Sequence, residues 1–303
     1  MCKINIVGAS CVDILLSYVD KNNFFSGKYK VDNIVTSFGG DALNQAIVLN
    51  HFDYDIKLIT ILGNDIYGNQ LLSYLDDNNI KHNKNILKDN IDTYLSIVLI
   101  DDNKQRTLVG SKNGSVRLLD LDDISIDDDC EIVSFASLFI SNKLNNDKLM
   151  NLFSNIKKQN KLLCVDCSNP KNNENIKDMS CLQYVDYFFA NELEAKTLTD
   201  LDDINLVEKA LYDIGIKNVI IKCGDKGAYY QGRYHKLDNN DNNLIVDTTG
   251  AGDSFVAGFI TGLNDNLDIE SCLMRANIFG YHACLKIGAN TWINNLEKDI
   301  YLI

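Results

Sequence analysis

The chain is short of proline, arginine and positive charge in general. Pro170 is the one proline in 303 residues, and there is no Pro/Ser-rich linker to mark a seam between domains. The 29 Lys and Arg, only four of them arginine, stand against 42 Asp and Glu, for a net charge of -13. That balance argues against nucleic acid and anionic membranes as partners, because both need clustered positive charge. It leaves room for an anionic ligand held locally by backbone amides and a metal. No apolar run reaches about 18 residues, so no transmembrane helix is expected. The opening "MCKINIVGAS" has one lysine and too short an apolar run for a signal peptide, and a cytoplasmic protein is expected. Nine cysteines are scattered singly, apart from Cys164 and Cys167. Unpaired thiols suit a reducing cytosol. One C-x-x-C without a second is weak as a zinc or redox motif, and "LLCVDCSN" reads as a buried strand running into a loop. G-x-x-x-x-G-K-[ST] is absent, which excludes a P-loop enzyme, and the first strand is not followed by the G-x-G-x-x-G of dinucleotide oxidoreductases.

What is present is an ordinary globular composition, 46% hydrophobic and 23% charged, enough for a large core in a single domain over 1–303. Val/Ile/Leu strands alternate with amphipathic helices, which indicates an α/β protein with a mostly parallel sheet and helices on both faces. "INIVG" is a strand, "DALNQAIVLNHF" a helix and "IKLITILG" a strand; helices follow over 147–159, 192–199, 203–214 and 268–285. Two stretches break the alternation, 14–36 and 91–110. Their antiparallel character suggests insertions forming a small sheet over one end of the main one. "NNDNN" at 239–243 reads as a hairpin tip between "AYYQGRYHKL" and "LIVD". The seven acids between Asp120 and Glu131 read as a solvated loop with helix-capping aspartates.

"DTTGAGDSFVAGFI", Asp247 to Ile260, is the most informative stretch. Phe255 and Phe259, and Val256, Ile260 and Leu263, fall at helical spacing, so a helix begins near Ala251. Its first turn is bare of bulky side chains, and backbone amides can converge there on an anion. Asp253 would repel that anion, which makes sense if it is the base for a hydroxyl attacking a phosphoryl group. It lies about 200° around the helix from Phe255 and so faces a cleft. The plain alternative is a Gly-rich helix start with an acid in the first turn.

With its neighbours, the stretch resembles the C-terminal signature of the ribokinase-like (PfkB) family of carbohydrate and nucleoside kinases. "GGDALNQA", Gly39 to Ala46, is similar to the family's N-terminal signature. "IVGASCVD", "LGNDIYG", "NELE" and "KCGDKGA" occur in the family's order, so the resemblance covers nearly the whole chain. It implies a three-layer α/β/α sandwich with a small β-sheet lid, and transfer of the ATP γ-phosphate to a sugar or nucleoside hydroxyl. Asp253 would be the base, the amides of Ala251, Gly252 and Asp253 the anion hole, and Gly250 part of the same catalytic turn. Asp13, Gly39, Gly40 and Asn44 match sugar-binding positions, and Arg106 stands in the lid where relatives bring an arginine to the substrate. Asn191 and Glu194 match N-x-x-E, linked to Mg²⁺ and phosphate, though a helix cap explains both as well. Lys222, Gly224 and Gly227 match the loop along the nucleotide, and Asn277 and Gly280 the helix flanking adenine. Asp247 and Thr249 match positions near a K⁺ site. The lid of such kinases is often a dimer surface.

Departures narrow the reading. Asp41-Ala42 replaces the Lys-Gly of ribokinases, which puts ribose itself in doubt. "DCSNPKNN" replaces D-x-N-x-R: Asp166 is kept, Ser168 and Pro170 are not the usual residues, and Lys171 is the nearest base. Few bases, Arg106 and Lys112, lie near the lid, which favours an unphosphorylated sugar over a sugar phosphate. Tyr18, Phe24, Phe25 and Tyr29 could stack a nucleoside base or simply pack the lid. A nucleoside kinase and a catalytically inactive sugar-binding regulator are the alternatives.

Overall fold

The computed structural model describes residues 3–17, 19–20, 27, 29–31, 33–101, 106–168, 178–238 and 241–295. Its strands are β1 (Lys3–Val7), β2 (Cys11–Ser17), β3 (Asn33–Gly39), β4 (Ile56–Ile59), β5 (Leu62–Gly63), β6 (Leu87–Lys88), β7 (Leu95–Ile100), β8 (Arg106–Gly110), β9 (Cys130–Leu138), β10 (Leu162–Cys167), β11 (Tyr187–Asn191), β12 (Val219–Lys222), β13 (Ala228–Tyr230) and β14 (Arg233–His235). Its helices are α1 (Asp41–His51), α2 (Ile66–Asp77), α3 (Asn146–Lys158), α4 (Glu192–Thr199), α5 (Ile204–Asp213), α6 (Ala251–Asn264) and α7 (Ile269–Ala283).

Eight strands form the central sheet in the order β14-β13-β12-β11-β10-β9-β1-β4. From β12 to β4 every pairing is parallel; β13 and β14 close one edge antiparallel. Alternation along each strand divides its side chains between two cores, as the period of two requires. Ile4 and Ile6 of β1, Cys164 of β10 and Ile220 of β12 pack with α1, α6 and α7. Val7, Leu163, Val165, Val219 and Ile221 pack on the other face with Phe153 of α3 and Leu211 of α5. The result is the three-layer arrangement. It also settles the C-x-x-C pair: Cys164 and Cys167 lie in opposite cores and cannot share a metal.

A second sheet, β3-β2-β7-β8, stands apart from the first. Its strands overlap the two stretches that broke the alternation but run on to Cys11 and Gly39, and while β2–β3 and β7–β8 are antiparallel as expected, β2 and β7 pair in parallel. Ile34 and Val35 of β3 and Leu108 and Val109 of β8 are exposed there.

The hairpin near the C-terminal third differs from expectation. The turn is Gln231-Gly232, both at positive φ (49° and 77°), between β13 and β14. Such a two-residue turn suits the right-handed twist of paired strands. Residues 242–244 form a 3₁₀ turn, and "LIVD" pairs with no strand among the described residues. In the acidic run, Asp120 caps a 3₁₀ turn and pairs with Lys148 at 2.6 Å, and Asp127 pairs with Lys57 at 2.7 Å and Lys3 at 3.0 Å.

Candidate active site

The carboxyl ends of β10, β11 and β12 deliver Asp166, Asn191 and Lys222 to one cleft of 420 Å³. The N-termini of α1 and α6 open onto it with Asp41 and Asp253. Ligand sites of open α/β sheets form in this position.

The opening of α6 depends on Gly250. It holds the left-handed conformation (φ 71°), and a Cβ there would come within 2.4 Å of the Ala289 carbonyl oxygen. The Ala251 amide turns back to the Thr248 carbonyl at 3.3 Å. The amides of Gly252 and Asp253 sit at the second and third helical positions, where no helical carbonyl precedes them. A Cβ on Gly252 would lie 3.3 Å from Lys222 Nζ, so that ammonium stands against the bare first turn.

Asn44 Nδ2 donates to Asp253 Oδ2 at 2.7 Å. Desolvation in the cleft and the charge of Asp41 push the Asp253 carboxyl up to about 7, against the pull of Asn44 and Lys222. A Cβ on Gly39 would lie 2.5 Å from Asp13 Oδ2 and 3.8 Å from Asn44 Oδ1. Asp13, Gly39, Asn44 and Asp253 thus surround one small space. Gly40 (φ 102°) admits the Ala9 carbonyl that takes the Ala42 and Leu43 amides, fixing the start of α1.

Toward the other end, Lys222 Nζ meets Asp166 Oδ1 at 2.7 Å with both side chains largely buried. Burial works against the lysine's charge, but Asp166 and Glu194 outweigh it and hold Lys222 above the ordinary lysine range. Asn191 and Glu194 form a reciprocal cap on α4, each side chain accepting the other's amide at 2.8 Å. Both also line the cleft. Gly224, Gly227, Asn277 and Gly280 line the far end with Tyr281. Asn277 Nδ2 donates to the His235 carbonyl at 2.9 Å. Asp247 lies beside rather than within the cleft. Its carboxylate accepts from the Thr249 amide at 2.9 Å, the Thr249 hydroxyl at 2.8 Å and the Gly288 amide at 2.7 Å.

Arg106 stands in β8, but its side chain, like Lys171, Pro170, Tyr18, Phe24 and Phe25, lies outside the described residues. Sequence reasoning missed Asn290, whose Nδ2 reaches Asn44 Oδ1 and the Phe38 carbonyl, each at 3.4 Å. It follows no periodic pattern and carries no motif. The contact between Asp41 and Ser168 was equally invisible: the Ser168 hydroxyl donates to Asp41 Oδ2.

A comparison with family models matches residues 1–295 to the pfkB family carbohydrate kinase model. The chain belongs to the pfkB family. It is a phosphotransferase of that family, a sugar kinase. Among curated relatives, the 2-dehydro-3-deoxygluconokinase of Haemophilus influenzae is 26% identical over 270 residues, 80% of this chain and 84% of the relative. The ribokinase of Dictyostelium discoideum is 24% identical, covering 84% of this chain and 86% of its own. The ribokinase structure from Giardia lamblia superposes with a TM-score of 0.80 at 16% identity, over 96% of this chain and 95% of that one. That likeness shows the pfkB fold.

Proposed function

We propose that this pfkB kinase transfers the γ-phosphoryl group of ATP to a hydroxyl of an unphosphorylated sugar of the ribose, fructose or keto-sugar kind. The observation that carries the proposal is the Asp253 carboxylate, held by Asn44 at 2.7 Å in the first turn of a bare helix start facing Lys222. Asp253 takes the hydroxyl proton. The freed oxygen bonds to the γ-phosphorus, the bond from that phosphorus to the β,γ-bridging oxygen breaks, and ADP leaves with its electron pair. The amides of Gly252 and Asp253 donate to the transferring group, with the Ala251 amide joining once it leaves Thr248. Losing one such donor typically costs about 100- to 1000-fold in rate. Asp13, Asn44 and the backbone at Gly39 and Gly40 hold the sugar hydroxyls. The nucleotide lies toward Gly224, Gly227, Asn277 and Gly280.

Among the described residues, no group of three or more His, Cys, Asp or Glu is arranged to hold a metal. Mg²⁺ takes one or two carboxylates and otherwise water and phosphate oxygens. Glu194, beside Asn191, is the carboxylate that would approach it, and the bound ion would neutralise phosphate charge. The Asp247 carboxylate orients the 247–249 and 288 backbone, whose carbonyls would make a K⁺ site. Lys222 is the one cation among the described lining residues of the cleft, which favours an uncharged acceptor. Free, buried cysteines suit a cytoplasmic enzyme.

The test is ADP release with Mg-ATP against neutral sugars, sugar acids, sugar phosphates and nucleosides, with and without K⁺. Stimulation by a neutral sugar is expected. Stimulation by a nucleoside alone would move the acceptor class to nucleosides, and sugar binding without turnover would make the chain a regulator.

A further inference from the structure

The two departures from the family signatures meet inside the cleft. Asp41 stands where the N-terminal signature of ribokinases has lysine, Ser168 lies in the altered segment after β10, and the serine hydroxyl donates to the Asp41 carboxylate. Asp41 and Asn44 are three residues apart on α1 and share a face. Asn44 is the residue bound to Asp253 at 2.7 Å, and α1 packs along α6. Two carboxylates from two packed helix starts therefore face the same space.

We propose that Asp41 is a positioning residue for Asp253: the two carboxylates titrate as a coupled pair, and Asp253 takes the acceptor's proton once the proton held by the resting pair has left to solvent. The inference rests on the reading of Asp253 as the base. Ser168 is one of the groups that decide where the pair's proton sits. Burial raises the Asp41 carboxyl, and the hydroxyls of Ser168 and Ser137 and the charge of Lys222 pull it back down, which shifts the proton toward Asp253. Two like charges lining one desolvated cleft do not both ionise freely.

The other charged and titratable groups facing the pair do not cancel the effect. Asp13 and Cys11 face it from β2, Asp166 from β10, Glu194 from α4 and Lys222 from β12. Burial holds the Cys11 thiol well above its ordinary range, so it stays neutral. Lys222 is bound to Asp166 at 2.7 Å, and its charge is shared among Glu194, Asp253 and Asp41 as well. The Asp253 carboxyl, raised to about 7 with Asp41 the foremost charge acting on it, agrees with this geometry. A base poised near the working pH is the efficient one. A singly protonated pair also lowers the negative charge that an incoming nucleotide meets.

The experiment is the pH profile of kcat/KM, with the sugar found above, for the unsubstituted protein and Asp41→Asn. The acid limb should move down by about one pH unit or more in the variant. A limb that stays in place while the rate falls would reduce Asp41 to a structural role and overturn the proposal. Carbon-13 NMR of labelled aspartate carboxyls in the unsubstituted protein needs no variant to fold and no turnover. A carboxyl titrating in two steps, the upper near neutral pH, is expected; single-step titration of every aspartate refutes the pair. Two-step titration in a protein that phosphorylates nothing would sink the kinase reading and leave the pair standing.

Discussion

Desolvation and the Asp41 charge hold the Asp253 carboxyl up to about 7, far above the ordinary carboxylate range. The base must be ionised to act, so activity should fall as pH drops through about 7. Asp253→Asn should lower kcat by at least 100-fold while calorimetry still detects sugar binding; unchanged turnover would remove Asp253 from the mechanism. Stability should move the other way. The folded protein binds this proton more tightly than the unfolded chain, so the contribution of Asp253 worsens as pH rises from the ordinary carboxylate range through about 7. Asp253→Asn should therefore raise the unfolding temperature at pH 8 and lose that advantage toward pH 4, a difference that calorimetry reads. Lys161 is the contrasting residue. It is buried, and its ammonium donates to the carbonyls of Asp127, Asp128 and Cys130 at 2.9, 2.8 and 2.7 Å. Lys161→Met strands one buried and two part-buried carbonyls and should cost about 2 kcal/mol in denaturant unfolding, without altering the pH profile of activity.

At the scale of elements, the start of α6 is where sequence and structure agree most closely. The bare turn at Gly250 is a backbone requirement: left-handed φ and a carbonyl within reach of any Cβ. Gly250→Ala should destabilise the fold by about 1–3 kcal/mol and misplace the Gly252 and Asp253 amides. Thermal melts and kcat together check it, and a variant normal in both would deny the turn its role. Long periodic helices were legible because their apolar spacing states their face; α4 spans 192–199 as read. The hairpin was not. Asn-rich "NNDNN" carried the stronger turn signal, yet the turn formed at Gln231-Gly232, because pairing of β13 with β14 along the sheet edge decided the register.

The molecule as a whole exposes its lid. Ile34 and Leu108, on the two edge strands of the small sheet, are 67% and 68% exposed. Exposed apolar edges of this kind invite pairing with another chain. The expectation is a homodimer through the lid sheets. Sedimentation should show a dimer that Leu108→Asp converts to a monomer; a monomer without any substitution would count against this.

Composition and alternation sufficed for the α/β class and the separate small sheet, and the two signatures pointed to some of the residues that line the cleft, Gly250 and Asp253 among them. They sufficed because hydrophobic period reports burial directly and glycines report backbone conformation directly. Only the folded chain decided that Asp41 meets Ser168 across 127 positions, that Asn290 reaches Asn44 across 246, and that Lys222 stands against the first turn of α6. Such contacts join residues from unrelated strands and helices. Their spacing in the chain carries no period, and it is the sheet order that brings them together.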